Sequence, residues 1–201
     1  MRSFLLTLAL TLLPLTAQAI EAPPAQTHID ANKVLRGNFV EDHQTNASQA
    51  PLHTSGHFVV APAHGLIWGI EKPFPTATII TPNGAAQDLG GLAVKLPAKN
   101  LHHLYDMVGG ALEGNWTELE EDFSITRNGD AHHWQMLLTP HTDEKPKLPY
   151  TAITVSGSRF VENIVMAKAD GSSDAFSFTD AVLSPATLTA KESTLFSEVP
   201  Q

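Results

Sequence analysis

The residues best able to do chemistry are histidines, and the chain has ten. Two adjacent pairs, His102-His103 and His132-His133, raise the question of a chelated metal ion. Neighbouring residues on a strand point to opposite faces, so His132 and His133 cannot close on one ion. On a helix, His102 and His103 diverge by about 100°. No H-E-x-x-H motif occurs and there is no cysteine, which removes thiolate ligands, disulfides and thiol nucleophiles. The expectation is no metal and no cofactor. Acyl-transfer chemistry fares no better. The "VSGS" at 155–158 is not a G-x-S-x-G elbow. The acidic "ELEED" at 118–122 reads as a solvated turn before a strand, without the burial a catalytic carboxylate pair needs. An enzyme is not expected.

What remains is apolar surface. In "HGLIWGIEKPFPTATIITPNG", residues 64–84, two short strand-like runs carry large apolar side chains with little charge. Similar runs recur at 38–44, 56–61, 66–70, 77–81, 92–96, 123–127, 132–139, 150–155, 159–168 and 175–182, mostly separated by turn residues such as "PNG", "RNGD", "SGS" and "DGSS". Two helices are expected among them. A short one follows Asp30 as N-cap, includes Val34 and Leu35 and stops at Gly37. A second spans 101–112, where Leu101, Leu104, Tyr105, Val108 and Leu112 share one face and Gly109-Gly110 weakens the second half.

The period-2 rule gathers one face of these strands. It carries Phe58, Val60, Leu66, Trp68, Ile70, Trp134, Met136, Leu138, Phe160, Ile164, Phe176 and Phe178, with Phe39 and Ile79 added from the flanking strands and Leu104 and Val108 from the helix. The other face carries His57, Glu71, Gln135, Thr154, Asn163, Ser177 and Thr179. The expected fold is mainly β (α+β): an incomplete antiparallel barrel of ten to eleven strands with a helical lid over a hydrophobic cavity. The residues of the apolar face are the expected ligand-binding set. In "KPFP", prolines 73 and 75 interrupt pairing and shape the mouth, leaving Phe74 as a gate or partner contact.

The first residues set the compartment. Arg2, the apolar run "FLLTLALTLLPLTA" and the "AQA" at Ala17–Ala19 read as a secretory signal peptide spanning 1–19, cleaved before Ile20. Residues 20–201 then form a single domain. An exported chain without cysteine, hence without an acylated cysteine anchor, fits a bacterial periplasm. Twelve basic residues face 21 acidic ones, and none of the basic residues cluster, so nucleic acid and anionic lipid surfaces are poor partners.

The motifs and their order resemble the outer-membrane lipoprotein carrier family, the LolA-like proteins. The resemblance rests on "VLRGNFVEDH" and "SGHFVVAPAHGLIWGIEKPFPTATIITPNG", then "HHWQMLLTPHT" and "ITVSGSRFVENIVMAKADGSSDAFSFTDA", and runs from Leu35 to about Ala181. It implies a monomeric periplasmic carrier that holds acyl chains of lipoproteins. Such a carrier takes cargo from an inner-membrane release complex to an outer-membrane receptor. Family members also accompany the synthesis of other envelope lipids, such as aryl polyenes. The family's carrier keeps its lid closed through an arginine near the position of Pro62. No arginine stands there in this chain, so the resemblance does not carry that switch over. The rival class is a periplasmic sensor that uses the same half-barrel to bind a protein tail. Co-purified lipid would favour the carrier, and an empty protein that captures an envelope-protein peptide would favour the sensor.

Overall fold

The computed structural model describes residues 28–45, 50–97, 105–141 and 149–199. Eleven strands form one antiparallel sheet: β1 (Lys33–Gln44), β2 (Leu52–Ala61), β3 (Gly65–Lys72), β4 (Thr76–Thr81), β5 (Gly84–Asp88), β6 (Ala93–Leu96), β7 (Phe123–Gly129), β8 (Trp134–Pro140), β9 (Tyr150–Gly157), β10 (Val161–Lys168) and β11 (Ser173–Pro185). Their spatial order is β6-β5-β4-β3-β2-β1-β11-β10-β9-β8-β7. Two meanders therefore meet where β1 pairs with β11, and among the described residues β6 and β7 are the two edges. The sheet curls without closing. One π-helical turn (Tyr105–Gly109), α1 (Gly110–Glu113) and α2 (Trp116–Asp122) interrupt the chain between the two edges, and α3 (Ala190–Ser197) follows β11.

The sheet buries both faces in one half and one face in the other. The inner face packs under the inserted helical segment. Behind β1–β5, a second, smaller core collects Val34, Val59, Ile67, Ile79 and Ala86 beneath Leu195 of α3 and the following Val199. In β8 the outer face is solvated, and burial alternates strictly from Trp134 to Thr139.

Four expectations are corrected here. Residues 30–37 are not a helix: Lys33 donates its N–H to the carbonyl of Asp30 in a turn, and β1 has already begun. Val34 and Leu35 are both fully buried because they enter the two different cores, so their adjacency mimics a helical apolar face. Residues 84–88 form a strand, although "GAAQD" has neither β-branched nor aromatic residues; pairing with β4 and β6 holds it. The acidic 118–122 stretch belongs to α2 rather than to a turn. The expected 101–112 helix is described only from residue 105, where a π turn leads into α1. The chain then breaks at Gly114, whose left-handed φ of 73° suits glycine.

Candidate ligand-binding interior

Cross-strand register builds the inner face. Gly37 pairs with Phe58 and Phe58 with Trp68; Leu35, Val60, Leu66 and Ile80 form the next row. Across the β1–β11 seam, Phe39 stands opposite Phe178. On the far side, Met136 meets Val155, Ile153 meets Met166, and Ile164 meets Phe176. Gly37 lies at a register shift in β1, and a Cβ there would stand 2.7 Å from the Phe58 ring. The missing side chain is what lets Phe58 lie flat against the strand.

The aromatic side chains interlock. Phe39 stacks on Trp68 with centroids 3.8 Å apart, and Trp68 meets Phe176 and Phe178 edge-on. Phe58 meets Phe178 edge-on at 5.6 Å. Most residues expected from the sequence converge in this single buried cluster: Phe39, Phe58, Val60, Leu66, Trp68, Val108, Trp134, Met136, Leu138, Ile164, Phe176 and Phe178. Ile70 and Phe160 are partly buried against it. Phe160 sits in the β9–β10 turn rather than in a strand, with Arg159 5.2 Å above its ring. Ile79 is the exception in facing. It packs in the outer core, and Ile80 takes the inward row. Leu104 lies outside the described residues, as do His102, His103 and the signal segment.

The cover contributes residues that the strand pattern did not flag. Ile29, Met107, Ala111, Leu112, Trp116 and Leu119 are buried in the same cluster. Ile29 donates its N–H to the carbonyl of Glu113 at 2.9 Å, tying the segment before β1 to α1. Trp116 meets Trp134 edge-on, centroids 6.1 Å apart. The Trp134 indole donates to the carbonyl of Ser158, whereas the Trp116 Nε1 is buried with no hydrogen-bond partner among the described residues. Trp116 hides in the sequence within "GNWTE"; an isolated tryptophan opening a polar helix was the available signal.

At one rim the inner face turns polar. Asp174 is 8% exposed; it bonds His43 and accepts from Lys168 Nζ at 2.7 Å. Glu41, two residues beyond Phe39, faces the same way. Burial, together with the charge of Asp174, holds its carboxyl above the usual range, against the opposing pull of His43 and Lys168. Burial likewise raises the Tyr150 phenol. Phe74 stands at this rim, 77% exposed between Pro73 and Pro75, and β3 and β4 end on either side of it as the prolines require.

The histidines are spread out. His53 and His57 stand four apart on β2, where that spacing spans about 13 Å, and each has its own carboxylate, Asp42 and Glu71. Among the described residues no group of three His, Asp or Glu side chains could hold a metal ion. Among them, too, no helix is long and apolar enough to cross a membrane.

No protein-family profile matches the chain, and no curated protein does. Among solved structures the fold is similar to a LolA superfamily protein from Nitrosomonas europaea: 10% identity, 84% of this chain and 90% of that one covered, TM-score 0.43. It is also similar to LprF from Mycobacterium bovis: 12% identity, 79% and 89% covered, TM-score 0.35.

Proposed function

We propose that the protein is an exported carrier that takes up acyl chains of a lipoprotein, or of another lipidated envelope molecule, between the inner face and its helical cover and ferries them across the periplasm from inner to outer membrane. One observation supports this reading above the others. The larger of the two buried apolar clusters among the described residues lies on the inside of an unclosed sheet, and its cover is a π turn and two helices of four and seven residues, broken at Gly114. Such a cover is cheap to displace, because short helices draw their stability from packing rather than from their own hydrogen bonds. An entering chain replaces the lid contacts with its own. Each buried methylene contributes about 0.8 kcal/mol, so a chain of about a dozen carbons supplies near 10 kcal/mol before ordering costs. Trp68 and the phenylalanines around it would line the chain, with the polar rim of Glu41, His43, Lys168 and Asp174 at one end.

Organic extraction of the protein purified from its host, followed by mass spectrometry, tests the reading. Stoichiometric acyl lipid, together with saturable binding of a fluorescent fatty acid by the stripped protein, is the expected result. A protein that carries no lipid and does not saturate with the probe would overturn it.

A further inference from the structure

Trp116 opens α2 and is 6% exposed, within the same buried cluster as the inner face. Its Nε1 is shielded from solvent, and no acceptor reaches it among the described residues. A buried N–H without a partner is disfavoured, and such groups are rare enough to need a reason. Volume is not a sufficient one, since phenylalanine would fill most of the space without bringing a donor. Trp134 beside it has its own acceptor, the carbonyl of Ser158, so the site does not repel indole hydrogen bonds in general.

We propose that the Trp116 indole donates a hydrogen bond to the carbonyl oxygen of the bound molecule, at the ester or amide that joins an acyl chain to its cargo. This rests on the carrier reading above. The buried residues of its cluster are apolar or aromatic, and cations stand beside that cluster: Arg159 over the Phe160 ring and Lys168 at the polar rim. A neutral carbonyl buried there needs only the one donor, whereas a hydrocarbon makes no use of it. Trp116 thus selects for acyl chains in ester or amide linkage over plain hydrocarbon. Its place on the movable cover lets the same contact help close the lid over cargo.

The test uses the full mature chain stripped of lipid, with methyl laurate and tetradecane as ligands of matched length, each displacing a fluorescent fatty acid. Trp116→Phe should weaken methyl laurate about tenfold, the value of one hydrogen bond near 1.4 kcal/mol, and leave tetradecane unchanged. The chain has three tryptophans, so the indole N–H region of a nitrogen-15 spectrum is readable on the unaltered protein. One indole signal should move with methyl laurate and stay still with tetradecane. Equal affinity of wild type and variant for methyl laurate, with no indole signal moving, overturns the Trp116 proposal while the carrier reading stands. Failure of the wild type to bind either ligand overturns the carrier reading, and this proposal with it. The spectrum of the wild type decides the matter even if the variant does not fold.

Discussion

Phe39 and Trp68 lie nearly flat against each other, centroids 3.8 Å apart and planes 25° from parallel, although they come from strands separated by β2. Phe39 pairs with Gly56 of β2, which in turn pairs with Ile70, so the two rings meet diagonally past a β2 position with no side chain; a Cβ on Gly56 would also meet the Gly69 carbonyl oxygen at 1.9 Å. Trp68 is therefore packed on three aromatic neighbours. Trp68→Ala should lower stability by about 3–5 kcal/mol, the loss typical of a large core side chain. The urea midpoint of the stripped variant checks this. A loss below about 1.5 kcal/mol would mean that Trp68 faces open space before ligand arrives.

Behind the sheet, Arg36 grips Glu192 with two hydrogen bonds of 2.8 Å and also reaches Ser184 and the carbonyl of Thr187. Glu192 closes a capping box with Thr189 as well, so one carboxylate both starts α3 and fastens it to β1. The Arg36 hydrogen bonds, helped by the Thr189 N–H, pull the Glu192 carboxyl down from 4.5 to about 2 against the effect of burial. A depressed folded value means stability that is complete above the ordinary 4.5 and is lost as pH falls through about 2. Glu192→Gln keeps an acceptor for Thr189 but loses the charge. It should cost about 1.5–3 kcal/mol at pH 7, and its deficit against wild type should shrink between pH 4.5 and 2. Denaturation midpoints at pH 7, 4 and 2.5 measure this; a deficit that does not change with pH would detach the effect from the ion pair.

Glu41 carries the opposite sign. Its folded value is raised by burial and by Asp174, so the ionised carboxylate costs stability above its ordinary value, and the cost is relieved as pH falls through the raised value. Asp174, His43 and Lys168 are the charged or titratable groups acting on it. Glu41→Gln should stabilise the protein by about 0.5 kcal/mol at pH 7 and make no difference below pH 4. A destabilised variant at neutral pH would show that the carboxylate is held by a favourable contact instead.

How much of this was legible in the sequence depended on whether one face of a strand or both are buried. In β8, water on the outer face leaves a clean alternation, and Trp134, Met136 and Leu138 could be assigned inward from the text alone. In β1 through β4 the second core under α3 erases the alternation. Val34-Leu35 then passed for a helix, and Ile79 was assigned to the inner face where Ile80 stands. The source of that second core, α3, was missed because it offers few apolar residues. The Thr189-x-x-Glu192 capping box was its one usable signal. Trp116 escaped for a different reason: it stands alone in the polar stretch "GNWTE", where neither a strand nor a helix period of apolar residues marks it as buried.

The glycines of the lid give the last prediction. Gly110 is the first residue of α1, buried against α2, and a Cβ on it would sit 3.8 Å from Leu119 Cγ, an ordinary contact. The position asks nothing of glycine sterically, so its retained flexibility is a cost to the closed lid. Gly110→Ala should therefore stabilise the empty protein by about 0.4–1 kcal/mol, mainly by restricting the unfolded chain. If ligand enters by unfolding this segment, the same energy is added to the barrier. Uptake of a fluorescent fatty acid should then slow by about two- to fivefold, while its release from the loaded protein depends on the state of the lid over the ligand. Stopped-flow mixing of variant and probe reads the entry rate directly. A variant that gains stability yet takes up ligand at the wild-type rate would show that α1 does not unfold during entry, leaving displacement of the folded cover or passage beside a sheet edge as the route.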